Sequence, residues 1–171
     1  MKGIFQTYIE WIKGNRTVVY GIQCVVTLGL LICMSIQDIR KKQISLWLLL
    51  VLAGFSVVMA IISGWSENEI KKQIFVRALP GMLPGGIMVL FGKLSGGALG
   101  EGDGYTTVTL GIQLGIFSVI ECLLQGMVLS GIYSGILLLT GKGNRKDAIP
   151  FLPFLTAGYA IFLVVTAIDR I

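Results

Sequence analysis

Residues 17–37, TVVYGIQCVVTLGLLICMSIQ, run without a single charged side chain and stop at the cluster Asp38, Arg40, Lys41 and Lys42. At ~1.5 Å per residue, a helix of this length crosses the ~30 Å of hydrocarbon in a bilayer. Three further stretches, residues 43–66, 122–141 and 148–168, are equally free of charge. Their apolar residues are continuous rather than alternating, which excludes a transmembrane β-barrel. The whole chain of 171 residues is 54% hydrophobic and 13% charged, with mean hydropathy +0.83. A soluble domain of this size needs more polar surface. The expected class is all-α: a polytopic membrane protein, with the lipid bilayer as its first partner. The first apolar run is too long for a signal-peptide core and no A-x-A-like site follows it, so it is expected to stay as an anchor.

Working outward, six membrane segments are expected, over about residues 17–37, 44–63, 74–92, 102–115, 117–140 and 149–168. The third contains Pro80 and Pro84 and should be kinked. Arg77 near its start can snorkel to the interface. Between the fourth and fifth no strong turn signal marks the boundary near residue 116. Gly111-x-x-x-Gly115 and Gly131-x-x-x-Gly135 would let helices approach closely. Before the first segment, Ile4, Phe5, Tyr8, Ile9 and Ile12 recur at helical spacing against Lys2, Gln6, Glu10 and Lys13. Residues 1–16 are therefore an amphipathic segment lying in the interface, and residues 17–171 a six-helix membrane domain.

The net charge of +5 fits lipid-facing loops rather than nucleic acid. With the segments above, seven basic residues fall on each side of the membrane, so charge does not orient the chain. Histidine is absent, and Cys24, Cys33 and Cys122 are isolated, with no C-x-x-C spacing. Neither a zinc site nor any other metal or cofactor is expected.

Of the nine acidic residues, Glu10, Glu67, Glu69, Asp147 and Asp169 lie in polar loops or ends, and Glu121 falls at the outer end of segment five. Asp38, Glu101 and Asp103 remain. Asp38 ends the first segment and Asp103 begins the fourth. Segments two and three separate them, so by parity both return to the same membrane face. Two carboxylates at similar depth can converge between helices and act as the acid and base of peptide hydrolysis. One, ionised, takes a proton from water; the other, protonated, donates to the scissile carbonyl oxygen. Like charges a few Å apart titrate as a unit and share one proton. Asp103 sits in GALGEGDGYTT, residues 97–107. Gly100 and Gly102 flank it without side chains, so a substrate backbone can approach and a flexible edge can pair with an extended peptide. The hydroxyls of Thr106 and Thr107 suit core or cap positions.

Asp38, Arg40 and Ile44 match the first motif of the type IV prepilin peptidase family, the membrane aspartyl proteases of the GxGD class. Gly100, Glu101, Gly102 and Asp103 match its second. Ile149, Pro150, Phe151, Leu152, Pro153 and Phe154 reproduce a late Ile-Pro-Phe-x-Pro-Phe stretch that opens the family's last helix. The sequence thus resembles that family over nearly its whole length, and is most similar to its short, peptidase-only members, such as those of Tad-type pili. The resemblance implies a catalytic pair, Asp38 and Asp103; Gly100, Glu101 and Gly102 beside it are expected at the substrate. It implies cleavage of the basic leader from prepilin-like proteins, whose apolar helix arrives through the bilayer, at the cytoplasmic face of a bacterial plasma membrane. The paired cysteines of the larger, N-methylating members are missing. Ser45 and Leu46 stand where the family often has Pro-Asn, and Tyr105 where it often has Lys. Glu101 is an extra acid beside the pair. Two other readings stay open on the sequence: a small proton-coupled transporter or channel, and a non-catalytic scaffold of a pilus assembly machine.

Overall fold

The computed structural model describes residues 16–41, 44–66, 73–95, 100–141 and 150–168. Within them every regular element is a helix: α1 (Arg16–Lys41), α2 (Leu46–Ser66), α3 (Leu79–Leu94), α4 (Glu101–Leu114), α5 (Ile116–Leu139) and α6 (Leu152–Ile168), with a π-helical turn, Gln73–Ala78, leading into α3. Six helices follow one another in the expected order. The amphipathic segment 2–13 lies outside the described residues. Four stretches are long and apolar enough to cross a membrane: Val18–Lys41, Leu46–Ser63, Ile74–Leu94 and Ile116–Leu139. Helix α6, of 17 residues, is apolar but shorter. Helix α4 has 14 residues, which at ~1.5 Å each is only about 21 Å.

Helix α1 runs past the expected end at residue 37, so Asp38 lies inside its last turns rather than beyond it. Arg40 and Lys41 occupy the final turn, where cations complement the carbonyl end of the helix dipole. The turn to α2 is fastened by Gln37, whose Oε1 accepts from the Ser45 N–H at 3.3 Å. A proline at position 45 could not make this bond, so the departure at Ser45 has a local partner in Gln37.

Helix α4 is the inner helix. Gly104, Thr106, Thr107, Thr109, Leu110, Gly111, Gln113 and Leu114 are all buried, whereas Trp47, Phe117 and Leu139 on neighbouring helices are largely exposed, as lipid-facing side chains are. Its threonines stay satisfied in the interior by bonding back along the helix: Thr106 to the Gly102 carbonyl and Thr107 to the Asp103 carbonyl, both at 2.8 Å, and Thr109 to the Thr106 carbonyl at 2.7 Å. The expected core role of Thr106 and Thr107 is what the structure has.

Small residues set the spacing around α4. A Cβ on Gly81 or Gly111 would overlap the backbone of the other, and one on Gly85 would overlap the backbone at Gly104 and Val108, so α3 and α4 touch main chain to main chain. Gly126 and Gly158 do the same for α5 and α6. A Cβ added to Gly131 or Gly135 would meet nothing within 4 Å, so this second small-residue pair joins no described part of the chain.

The α4–α5 boundary falls at Gly115, with φ +84°, its N–H donating to the Gly111 carbonyl at 2.9 Å. This is a positive-φ glycine ending a helix; the signal was in the sequence, hidden among many glycines. Arg77 Nε donates to the Leu114 carbonyl at 3.4 Å, placing a cation at the end of α4. Leu31, Met34, Leu52, Leu110, Leu152, Leu155 and Tyr159 fill the core between α1, α2, α4 and α6.

Candidate active site

Three helix ends meet on one side of the bundle. Helix α1 brings Asp38 there in its C-terminal turns, α4 brings Asp103 in its first turn, and α6 starts at Leu152. Asp38 is only 8% exposed and Asp103 is half-buried. The two carboxyl groups are close enough to interact electrostatically. The Leu152 backbone N–H faces the Asp38 carboxylate. The other carboxylate oxygen, Oδ2, is buried and has no hydrogen-bond partner among the described residues.

Polar cross-links continue inward from this end and hold α1 in register. Ser35 Oγ and Thr156 Oγ1 are 2.6 Å apart, and Thr156 also donates to the carbonyls of Leu31 and Leu152 at 3.4 and 2.9 Å. Deeper still, Thr27 Oγ1 donates to Gln113 Oε1 at 3.0 Å, joining α1 to α4. Thr27, Leu31, Ser35 and Asp38 recur at helical spacing on one face of α1. None of Thr27, Ser35, Gln113 and Thr156 was singled out from the sequence; the helical spacing ahead of Asp38 is a signal that could have found Thr27 and Ser35, while Gln113 and Thr156 had none.

The glycines flanking Asp103 have distinct environments. Gly100 precedes α4 with φ −64° and ψ 118°, is exposed, and its carbonyl accepts from Asp103 and Gly104. A Cβ there would lie 2.7 Å from Asp103 Oδ2, so the carboxylate leans back over Gly100. Gly102 is already helical, and a Cβ on it would lie 2.5 Å from Ile44 Cδ1. Among the described residues of the flexible edge expected around Asp103, Gly100 alone is extended, and from Glu101 onward the edge is helix. Ile44, half-buried ahead of α2, thereby fills the space that Gly102 leaves. Glu101 is exposed beside the pair. Arg40 is exposed whereas Asp38 is buried, so the two side chains point to different surroundings. Ile149 lies outside the described residues.

Chemically, this end of the bundle offers two interacting carboxyl groups, one of them with a free buried oxygen, next to an exposed extended backbone at Gly100. Comparison with curated proteins and with solved structures finds no match. A profile of the type IV leader peptidase family matches residues 25–135, which include Asp38, Ile44 and the Gly100–Asp103 motif and stop short of Pro150–Phe154. The match spans more than half of the chain and is joined to an all-helical architecture with four membrane-length helices. This chain belongs to the type IV leader peptidase family.

Proposed function

We propose that this protein is a membrane aspartyl endopeptidase that removes the leader of prepilin-like proteins, with Asp38 and Asp103 as its acid/base pair. The juxtaposition of two acids from opposite halves of the chain, in a member of a leader peptidase family, carries the proposal. Water adds its oxygen to the scissile carbonyl carbon while one carboxylate takes its proton. The other carboxyl group gives a proton to the carbonyl oxygen. Collapse of the diol returns one proton to the leaving amine, breaks the C–N bond and restores the starting pair.

Residues 17–171 form the peptidase domain and residues 1–16 an interfacial segment. All six helices enter the bilayer, the short and polar α4 shielded by its neighbours. The paired acids face the cytoplasm of a bacterial plasma membrane. Gly100 offers main chain to an extended peptide next to Asp103. Gly102 keeps the first turn of α4 close to Ile44. Glu101 presents an exposed negative charge where a basic leader would arrive.

Co-expression with a prepilin-like substrate tests this. Leader removal, read as a gel shift, is expected with the wild type and lost with Asp38→Asn and with Asp103→Asn. Processing that persists in both variants removes the pair from the mechanism.

A further inference from the structure

We infer that the backbone N–H of Leu152 is a positioning group for Asp38, holding one carboxylate oxygen so that the other accepts the proton of the attacking water. This presupposes the peptidase activity proposed above and assigns the two acids different roles within it.

The first turn of α6 is built to offer one donor. A helix start has N–H groups with no partner inside the helix. Here the N–H groups of Phe154 and Leu155 both reach the Phe151 carbonyl, at 3.0 and 3.1 Å. Pro153 has no N–H. Leu152 is left as the donor of that turn, and its N–H faces the Asp38 carboxylate. Asp38 Oδ2 is buried with no hydrogen-bond partner among the described residues, which leaves Oδ1 as the oxygen for this N–H to hold. The Pro-Phe-Leu-Pro-Phe stretch thus acts on the acids through one main-chain group.

The register that makes this contact is fixed one turn deeper. Ser35 meets Thr156 at 2.6 Å, and Thr156 also bonds the carbonyls of Leu31 and Leu152. The steps Asp38 to Leu152 and Ser35 to Thr156 follow one another down antiparallel helices, so rotating either helix breaks both. The Leu152 side chain is fully buried and anchors the turn from the other side.

An oxygen held and an oxygen free is the arrangement a general base requires. Asp38 Oδ2 takes the water proton as the water oxygen bonds the carbonyl carbon, and Asp103 gives its proton to the carbonyl oxygen. On collapse Asp38 passes its proton to the leaving amine, and Asp103 recovers one from the diol.

The test replaces the Leu152 amide with an ester, by incorporating the α-hydroxy analogue of leucine into the full chain in lipid nanodiscs. The side chain stays and only the donor is lost. Cleavage of a prepilin-like substrate is expected to lose roughly 10- to 100-fold in kcat, with KM within about twofold, as for a charge-assisted hydrogen bond used after binding. The same ester at Val119, whose N–H donates to the Gly115 carbonyl far from the acids, leaves kcat unchanged. In infrared spectra the Asp38 carboxyl band, isolated as wild type minus Asp38→Asn, is expected to move in the Leu152 ester. An unmoved band overturns the inference whatever happens to the rate, and so does an unchanged kcat in an enzyme that cleaves. If the wild type cleaves nothing, the peptidase proposal fails by itself, and the band alone decides whether Leu152 positions Asp38.

Discussion

At Gly102, the space a side chain would need is taken by the end of Ile44, with Cδ1 2.5 Å from where a Cβ would sit and Cγ1 at 3.2 Å. Gly102→Ala is therefore expected to destabilise the protein by about 1 kcal/mol through overpacking. Ile44→Val deletes only the offending atom. In that background Gly102→Ala is expected to be neutral or to stabilise by up to about 1 kcal/mol, because alanine is the better helix former. Thermal unfolding of the four proteins in detergent measures the coupling; additive effects would separate Ile44 from Gly102. The two sequence motifs that carry Asp38 and Asp103 are thus physically complementary, a relation invisible in the sequence, where each residue shows only its own type. Glu101 was legible as an extra acid, and the structure finds it exposed.

Among the helices, two small-residue pairs of the same spacing have opposite fates. Gly111 abuts the main chain of Gly81, while Gly131 has open space around it. Gly111→Ala is expected to force α3 and α4 apart and destabilise by about 3 kcal/mol, the upper end for overpacking. Gly131→Ala is expected to be neutral or slightly stabilising, from helix propensity alone. Unfolding midpoints in detergent distinguish the pairs, and equal losses would mean that Gly131 packs against a partner. Spacing predicted both contacts alike because periodicity shows which residues share a face but not what lies opposite. Four of the helices were plainly legible: charge-free runs marked α1, α2, α5 and α6. Helix α4 was the faintest, since an inner helix satisfies its threonines on its own carbonyls and needs no apolar face. Its end at Gly115 depends on a positive φ that no residue other than glycine takes readily.

Over the whole molecule, parity of crossings was enough to bring Asp38 and Asp103 to one side, but not to make them neighbours. Their meeting depends on α1, α4 and α6 being locked in register by Thr27–Gln113 and Ser35–Thr156. With six crossings basic residues balance across the membrane, so charge does not orient the chain, and the cytoplasmic face rests on the proposed function. With the native cysteines replaced, Glu101→Cys is expected to react with a membrane-impermeant maleimide in inverted vesicles and not in intact cells; labelling of intact cells would turn the site outward. The central claim, that two carboxyl groups do the chemistry, is tested most directly with purified protein in nanodiscs and a purified prepilin-like substrate, the cut located by mass spectrometry. Wild type is expected to release the intact leader at one bond. Asp38→Asn and Asp103→Asn are each expected to lose at least about 1,000-fold in kcat/KM, since truncating either half of a unit that acts together costs nearly the whole effect. Cleavage at the same bond and near the same rate by either variant would contradict the account.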